Sequence, residues 1–391
     1  MTISGSTYEI ELAKLSPLLD SPVAISQSEY LNRIERAREG LRRSGGDALL
    51  IGAGASLRYF TGLGWGASER LIALYLPLTG APYLICPYFE RGSIEAELKI
   101  ELELLLWQED ESPYQLIKKL RNQGRLYVDP ALNFATIHRL KTETNLDLCE
   151  ASSIIDSLRM QKSTYELALM QYAKDMTMKV HRAAAKILHE GITTTEVKRF
   201  IDEAHRAMGA SGFSFCIVQF GKATAYPHGL PGVQSLKEND LVLIDTGCTI
   251  EGYHSDITRT YSFGTPSAEE RRIWDIEKEA QRRAFEAVEP GKPCEMIDYA
   301  ARDVLMAHGL GPDYQLPGTP HRTGHGIGLS IHEPAYLVRG DTTLLAQGMC
   351  FSNEPMIVIP DRFGIRLEDH FYVTEQGAKW FTEPQTSILA L

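Results

Sequence analysis

The sequence predicts an α/β protein of two domains. Three observations carry this. The chain has 391 residues, and domains usually hold about 100–200. Hydrophobic residues make up 43% of it and charged residues 23%, a balance that supports packed cores and excludes a largely disordered chain. Short apolar runs alternate with segments of helical spacing, first over residues 1–155 and again over 156–391. Acidic residues outnumber basic ones 51 to 40, a formal charge of −11. That excess argues against non-specific binding to nucleic acid or to an anionic membrane. No apolar stretch reaches the ~18 residues of a membrane-spanning helix, and the N-terminus shows no signal-peptide pattern. The six cysteines form no CxxC pair, and Cys216, Cys248 and Cys350 lie in apolar runs. They read as reduced, buried thiols of a cytoplasmic protein.

The elements follow in order. Tyr30, Ile34, Ala37 and Leu41 predict a helix over 27–44, stopped by Gly45-Gly46. Residues 48–51 predict a strand, and 52–56 turn into Leu57-Arg-Tyr-Phe-Thr-Gly62. Strands are expected over 73–76 and 83–86, then a helix around Leu116 and Leu120, then a strand over 126–128. In the second domain Ser163 and Glu166 form a capping box that opens a long helix to about residue 190. A second helix starts after Thr193. Strands are expected over 213–220, 241–247 and 253–263, helices over 268–288 and 294–308, and strands over 349–359 and 364–374. The series helix, helix, strands occurs twice, which suggests two similar halves.

Several chemistries are missing. There is no GxSxG elbow, and Tyr336 stands where HExxH would need its second histidine. Gly52 and Gly54 do not make a dinucleotide loop, and Cys216 stands where a phosphate loop ending in Gly221-Lys222 would need its first glycine. Asp245-Thr-Gly is the tripeptide of aspartic proteases, but only one copy is present. The remaining signal is a set of carboxylates in apolar surroundings. Asp245 ends an apolar strand, and Asp256 follows eleven residues later across a Glu251-Gly252 turn. Two carboxylates brought together by a hairpin resist ionising unless a cation joins them. Glu354 and Glu368 lie fourteen residues apart between apolar neighbours, and His325 is flanked by glycines that favour close backbone approach. Singly, each has an ordinary structural explanation: a turn, a local ion pair or a hydrogen-bonded core histidine.

In this order the five residues resemble the metal constellation of the pita-bread metallopeptidases, the family of prolidase, aminopeptidase P, methionine aminopeptidase and creatinase. The matching segments are Ile-Asp-Thr-Gly, Ser-Asp-Ile-Thr-Arg-Thr, Thr-Gly-His-Gly-Ile-Gly-Leu, His-Glu-Pro, Asn-Glu-Pro and Arg-Leu-Glu-Asp. The chain is most similar to bacterial Xaa-Pro dipeptidases. The resemblance implies a creatinase-like N-terminal α/β domain over 1–155. A pita-bread domain follows over 156–391, with two pseudo-symmetric halves around a curved, mixed or antiparallel sheet. It also implies two divalent ions, Mn²⁺ first and Co²⁺ or Zn²⁺ as alternatives, held by Asp245, Asp256, His325, Glu354 and Glu368. By the same resemblance a bridging hydroxide attacks, Glu354 shuttles the proton, His332 stabilises the oxyanion and His228 contacts substrate. Arg366 and His321 are expected on the substrate side. The implied reaction is hydrolysis of Xaa-Pro dipeptides by a homodimer. Gly62-Leu-Gly-Trp65 is a candidate loop over a neighbouring site. Rival readings are aminopeptidase P, a lyase on small molecules and a non-catalytic binding module. Pro334-Ala-Tyr336 stands where some prolidases carry an arginine, which leaves the clamp for a substrate carboxylate unassigned. Asn353 precedes Glu354 where many relatives have Ile or Val.

Overall fold

The computed structural model describes residues 3–390. The chain divides into one unit, Ala24–Arg159, and a second made of the residues up to Val23 together with Met160–Leu391. This differs from a break at 155 with everything before it in the first domain. Helix Ser152–Met160 runs across residue 155. At the other end, helix Tyr8–Ala13 packs on helices Thr164–Lys186 and Thr194–Ala207. The Tyr8 ring meets Phe200 edge-on at 5.0 Å, and Ser4 N–H donates to the Ala185 carbonyl at 2.8 Å. Among the described residues no helix is long and apolar enough to cross a membrane.

The Ala24–Arg159 unit holds a six-stranded mixed sheet. Its order is Glu103–Trp107, Tyr83–Pro87, Ala73–Pro77, Ala48–Gly52, Arg125–Val128, Asp147–Glu150. The central strands are apolar runs, and Ala48–Gly52 is buried along its whole length. Gly62 ends helix Ala55–Thr61 with φ +77°, a left-handed cap that glycine takes without strain. The outer strands Glu103–Trp107 and Asp147–Glu150 and the helices Arg91–Glu97 and Phe134–Glu143 were not expected from the sequence. Both strands are only partly buried, so their apolar signal is weak.

The second unit has the expected two halves. Helices Thr164–Lys186 and Thr194–Ala207 pack with a three-stranded antiparallel sheet, Ile257–Ser262, Leu241–Gly247, Phe215–Phe220. Helices Ala268–Glu286 and Glu295–Ala307 pack with a five-stranded one, Glu333–Leu337, Gly324–Gly326, Cys350–Asn353, Asp369–Thr374, Gly377–Trp380. Three of the four helices open on capping boxes, at Ser163, Thr193 and Ser267. Every strand ladder in this unit is antiparallel. The halves meet along a seam, where Glu368 N–H donates to Thr258 O at 3.1 Å and Arg259 Nη1 donates to Glu368 O at 2.7 Å.

Three expected continuous strands are interrupted. The run 253–263 breaks at Ser255-Asp256, 349–359 at Glu354-Pro355, and 364–374 at Leu367-Glu368. Each break holds one of the candidate carboxylates. A residue released from the ladder is free of the strict up-and-down alternation of a strand, so its side chain can turn to a common point.

Candidate metal centre

Asp245 lies in the fully buried strand Leu241–Gly247, and its register partner on the next strand is Thr258. The hairpin Thr249–Ile250/Tyr253–His254, turning at Glu251 and Gly252, returns the chain so that Asp256 comes close to Asp245. His325 is the middle residue of Gly324–Gly326. A Cβ at Gly324 would stand 2.1 Å from Ser352 O, and one at Gly326 2.4 Å from Glu333 O. The flanking glycines therefore let three backbones close around the histidine. His325 Nδ1 faces the Gly326 carbonyl at 3.0 Å. The other ring nitrogen, Nε2, lies 3.1 Å from Glu354 Oε1 and 3.8 Å from Asp256 Oδ2, where it reaches both carboxylates.

The ligating atoms gather in overlapping triplets. Those of His325, Glu354 and Glu368 lie within 4.8 Å of one another, as do those of Asp256, Glu368 and His370, and of Asp256, His325 and His332. Asp245 is joined to the group by Arg366, whose Nη2 donates to Asp245 Oδ2 at 2.6 Å. Thr258 Oγ1 donates to Glu368 Oε2 at 2.7 Å. All nine residues singled out in the sequence line one cavity of about 450 Å³: Asp245, Asp256, His325, Glu354, Glu368, His228, His321, His332 and Arg366.

The electrostatics show what this cluster lacks. Burial raises the carboxyls of Asp256 and Glu368 well above their ordinary range, and neighbouring carboxylates push them further. Asp245 is also raised by burial, although Arg366 opposes the shift. Burial acts on Glu354 in the same sense, but the His325 hydrogen bond, with the charges of His325, His321 and Arg366, holds it at about 2. Asp245 Oδ1 and Asp256 Oδ1 are buried without a hydrogen-bond partner. Four carboxylates with one guanidinium among them are under-neutralised, and buried carboxylates in that state call for cations. Oxygen donors with an imidazole suit hard or borderline divalent ions. The residues present therefore fit a metal group.

One detail departs from the sequence reading, and another fills it in. Arg366 is buried and committed, through Nη2 to Asp245, through Nε to Thr258 Oγ1 at 3.1 Å and through Nη1 to Pro227 O at 3.3 Å. Its guanidinium serves Asp245 rather than facing outward to a substrate. Asn353 does not reach Glu354; its Nδ2 donates to Gln281 O at 2.8 Å. The contact on Glu354 comes instead from Ser352 Oγ at 3.1 Å, which also receives the His325 N–H at 2.9 Å. Two residues were missed. His370 is fully buried with Nε2 3.3 Å from Glu368 Oε1. Its only sequence signal was its place two residues after Glu368. Arg322 lines the cavity beside His321.

The remaining histidines are set by their surroundings. Burial lowers His321, whose Nδ1 lies 2.7 Å from the Arg322 carbonyl. Partial burial, then the nearby His325, pushes His332 down to about 4. The His332 and His325 rings meet edge to face at 4.1 Å.

The chain is similar to known proteins in sequence and in fold. Residues 168–375 match the metallopeptidase family M24, and residues 33–161 match the creatinase/prolidase N-terminal domain. The chain is 36% identical over 354 residues to the probable dipeptidase PepE of Mycobacterium bovis, covering 89% of this chain and 93% of that one. The crystal structure of dipeptidase PepE from Mycobacterium ulcerans is similar with a TM-score of 0.86 at 35% identity, covering 92% of this chain and 97% of that one. Recombinant prolidase from Thermococcus sibiricus gives 0.85 at 29%, covering 94% and 100%. With the family match spanning the cavity-lining carboxylates and the likeness running through both units, the chain belongs to metallopeptidase family M24 and carries a creatinase/prolidase N-terminal domain.

Proposed function

We propose that this metallopeptidase hydrolyses the Xaa-Pro bond of dipeptides with a free N-terminus, using two divalent ions, Mn²⁺ in the first place. The observation that carries the reading is the convergence of Asp245, Asp256, His325, Glu354 and Glu368 on one cavity together with three further histidines. Those five residues would hold the ions, which when bound supply Lewis acidity and lower the pKa of water. The two ions would outweigh the charge left by four carboxylates and Arg366 by one unit, enough for one anion.

The chain's own groups do the rest. Glu354 accepts Ser352 Oγ–H at Oε1, which leaves Oε2 to take a proton and return it to the leaving nitrogen. His332, with its pKa near 4, is neutral at physiological pH and can donate one N–H to the oxygen of the scissile carbonyl as charge develops there. His228 is exposed at the cavity rim, where it can meet the substrate. Proline brings no N–H to the scissile bond, and the Phe215, Ile217, Pro227 and Pro320 side of the cavity offers apolar surface for its ring. We also infer a homodimer working in the cytoplasm, with a small peptide as its only required partner.

The test compares Leu-Pro with Leu-Pro-Gly, with chelator and with Mn²⁺, Co²⁺ or Zn²⁺ added back, in the wild type and in Glu368→Ala. The expected result is metal-dependent cleavage of the dipeptide alone and its loss in Glu368→Ala together with bound metal. Equal rates on the tripeptide would make the enzyme an aminopeptidase P. Turnover by metal-free protein would sink the mechanism.

A further inference from the structure

The cavity wall carries two guanidinium groups, and they are in opposite states. Arg366 is bonded at Asp245, Thr258 and Pro227. Arg322 is half-buried on the same wall, yet among the described residues its guanidinium makes no hydrogen bond and no ion pair. It lies instead over an aromatic face: the Arg322 Cζ is 4.3 Å from the centroid of the Tyr336 ring. Tyr336 belongs to strand Glu333–Leu337 and is the register partner of His325. The His332 ring touches His325 from the same segment. The stacked arginine therefore stands next to the reacting end of the cavity and not on a remote rim.

A guanidinium stacked on an aromatic face keeps its edge free. That edge is a planar fork of N–H donors matched to a carboxylate. The tyrosine ring removes much of the freedom a long arginine side chain would lose on binding. The four wall carboxylates are already claimed by Arg366, by His325 and by the cations they call for. An extended dipeptide spans about 7 Å, so a substrate held at its amine end by the metal centre puts its own terminal carboxylate within the cavity.

We propose that Arg322, held by Tyr336, is the clamp for the C-terminal carboxylate of the substrate and so restricts this enzyme to dipeptides. The inference rests on the dipeptidase reading above and deepens it. It also assigns the carboxylate clamp that the sequence left open at Pro334-Ala-Tyr336.

The experiment uses the Mn²⁺-loaded full chain and three substrates: Ala-Pro, Ala-Pro-amide and Asp-Pro. Wild type is compared with Arg322→Ala, Arg322→Lys, Tyr336→Phe and Tyr336→Leu, with metal content and thermal midpoint measured for each. Arg322→Ala is expected to lower kcat/KM on Ala-Pro by about 10- to 100-fold, the worth of a charge-assisted hydrogen bond. The loss should fall on KM and leave Ala-Pro-amide unchanged. Arg322→Lys keeps the charge without the fork and should be intermediate. Tyr336→Phe keeps the stack and should behave as wild type, whereas Tyr336→Leu should lose part of the discrimination. An equal loss on Ala-Pro and its amide would overturn the clamp, and so would a loss confined to Asp-Pro, which would make Arg322 a reader of acidic side chains. A wild type that cleaves the amide as well as the free dipeptide, or neither, fails before any variant is made and overturns the dipeptidase reading with the clamp. A failure seen only in the variants overturns the clamp alone.

Discussion

The central strands of the two units are equally buried but bury different things. In the Ala24–Arg159 unit, Leu49, Leu50 and Ile51 are wholly inaccessible, and so are Leu74 and Leu76 on the neighbouring strand. The strand Leu241–Gly247 of the other unit is just as enclosed, but it carries Asp245, and the fully buried Ile257–Ser262 beside it carries Thr258, Arg259 and Thr260. Arg259 is paired there with Asp369 at 2.6 Å, and Lys162 with Glu333 at 2.6 Å. Apolar burial stabilises outright, at about 25 cal/mol per Å². Buried charge pairs largely cancel their attraction against lost hydration. The first sheet is thus held by apolar burial, while the second encloses charge that calls for cations.

Removing those cations should therefore have the largest effect. Each site filled at a hundredfold excess over its Kd contributes about 2.7 kcal/mol of stability, so stripping two costs about 5. The stripped protein should also respond to pH. Asp245, Asp256 and Glu368 have raised carboxyl pKa values when folded without metal, so the folded chain keeps protons that the unfolded chain releases above about pH 4. Stability from these groups is complete in acid and falls as pH rises from about 4 towards their raised values. In the loaded protein the cations hold the same carboxylates ionised, and this fall should vanish. Thermal midpoints between pH 5 and 8, with chelator and with Mn²⁺, measure the difference. Parallel curves would mean that the second sheet tolerates its charges unaided.

Leu50→Ala tests the other side. It removes an inaccessible side chain from the centre of the first sheet, and such truncations cost about 2–5 kcal/mol. Calorimetry should show the loss. Metal content and kcat, measured well below the transition, should stay at wild-type values, because no residue of Ala24–Arg159 lines the cavity. A drop in bound metal would show that the two sheets are not energetically separate.

The same contrast explains what could be read from the chain. The central strands of the first unit were visible because their apolar runs are unbroken. Glu103–Trp107 and Asp147–Glu150 were not, because half-exposed edges mix polar and apolar residues. In the second unit the five candidate ligands were legible only as an ordered set whose segments resemble the metallopeptidases, because each taken singly has an ordinary structural explanation. The breaks at Asp256, Glu354 and Glu368 were hidden, because strand resumes within one or two residues of each and no glycine stands at the break. Pairings were hidden too: Lys162 and Glu333 are 171 residues apart, and Arg259 and Asp369 110. Nothing in a local pattern joins such partners. Arg322 carries no local signal, since its place over Tyr336, fourteen residues on, is set by the fold.

The smallest effect should come from a charge pair of the same chemistry in a different setting. Arg362 Nη1 donates to Glu269 Oε1 at 2.9 Å, and Nη2 reaches the other oxygen, so the pair is as well formed as Arg259–Asp369. It sits in water, however, with 55% and 36% of the two side chains exposed against 1% and 0% for the buried pair. Either partner, left alone, regains its hydration, and salt screens what remains. Glu269→Gln is therefore expected to leave both the thermal midpoint and kcat at wild-type values, at low and at high salt. If the midpoint fell clearly, charge pairing itself would stabilise the second unit, and burial would not be what separates its interior from its surface.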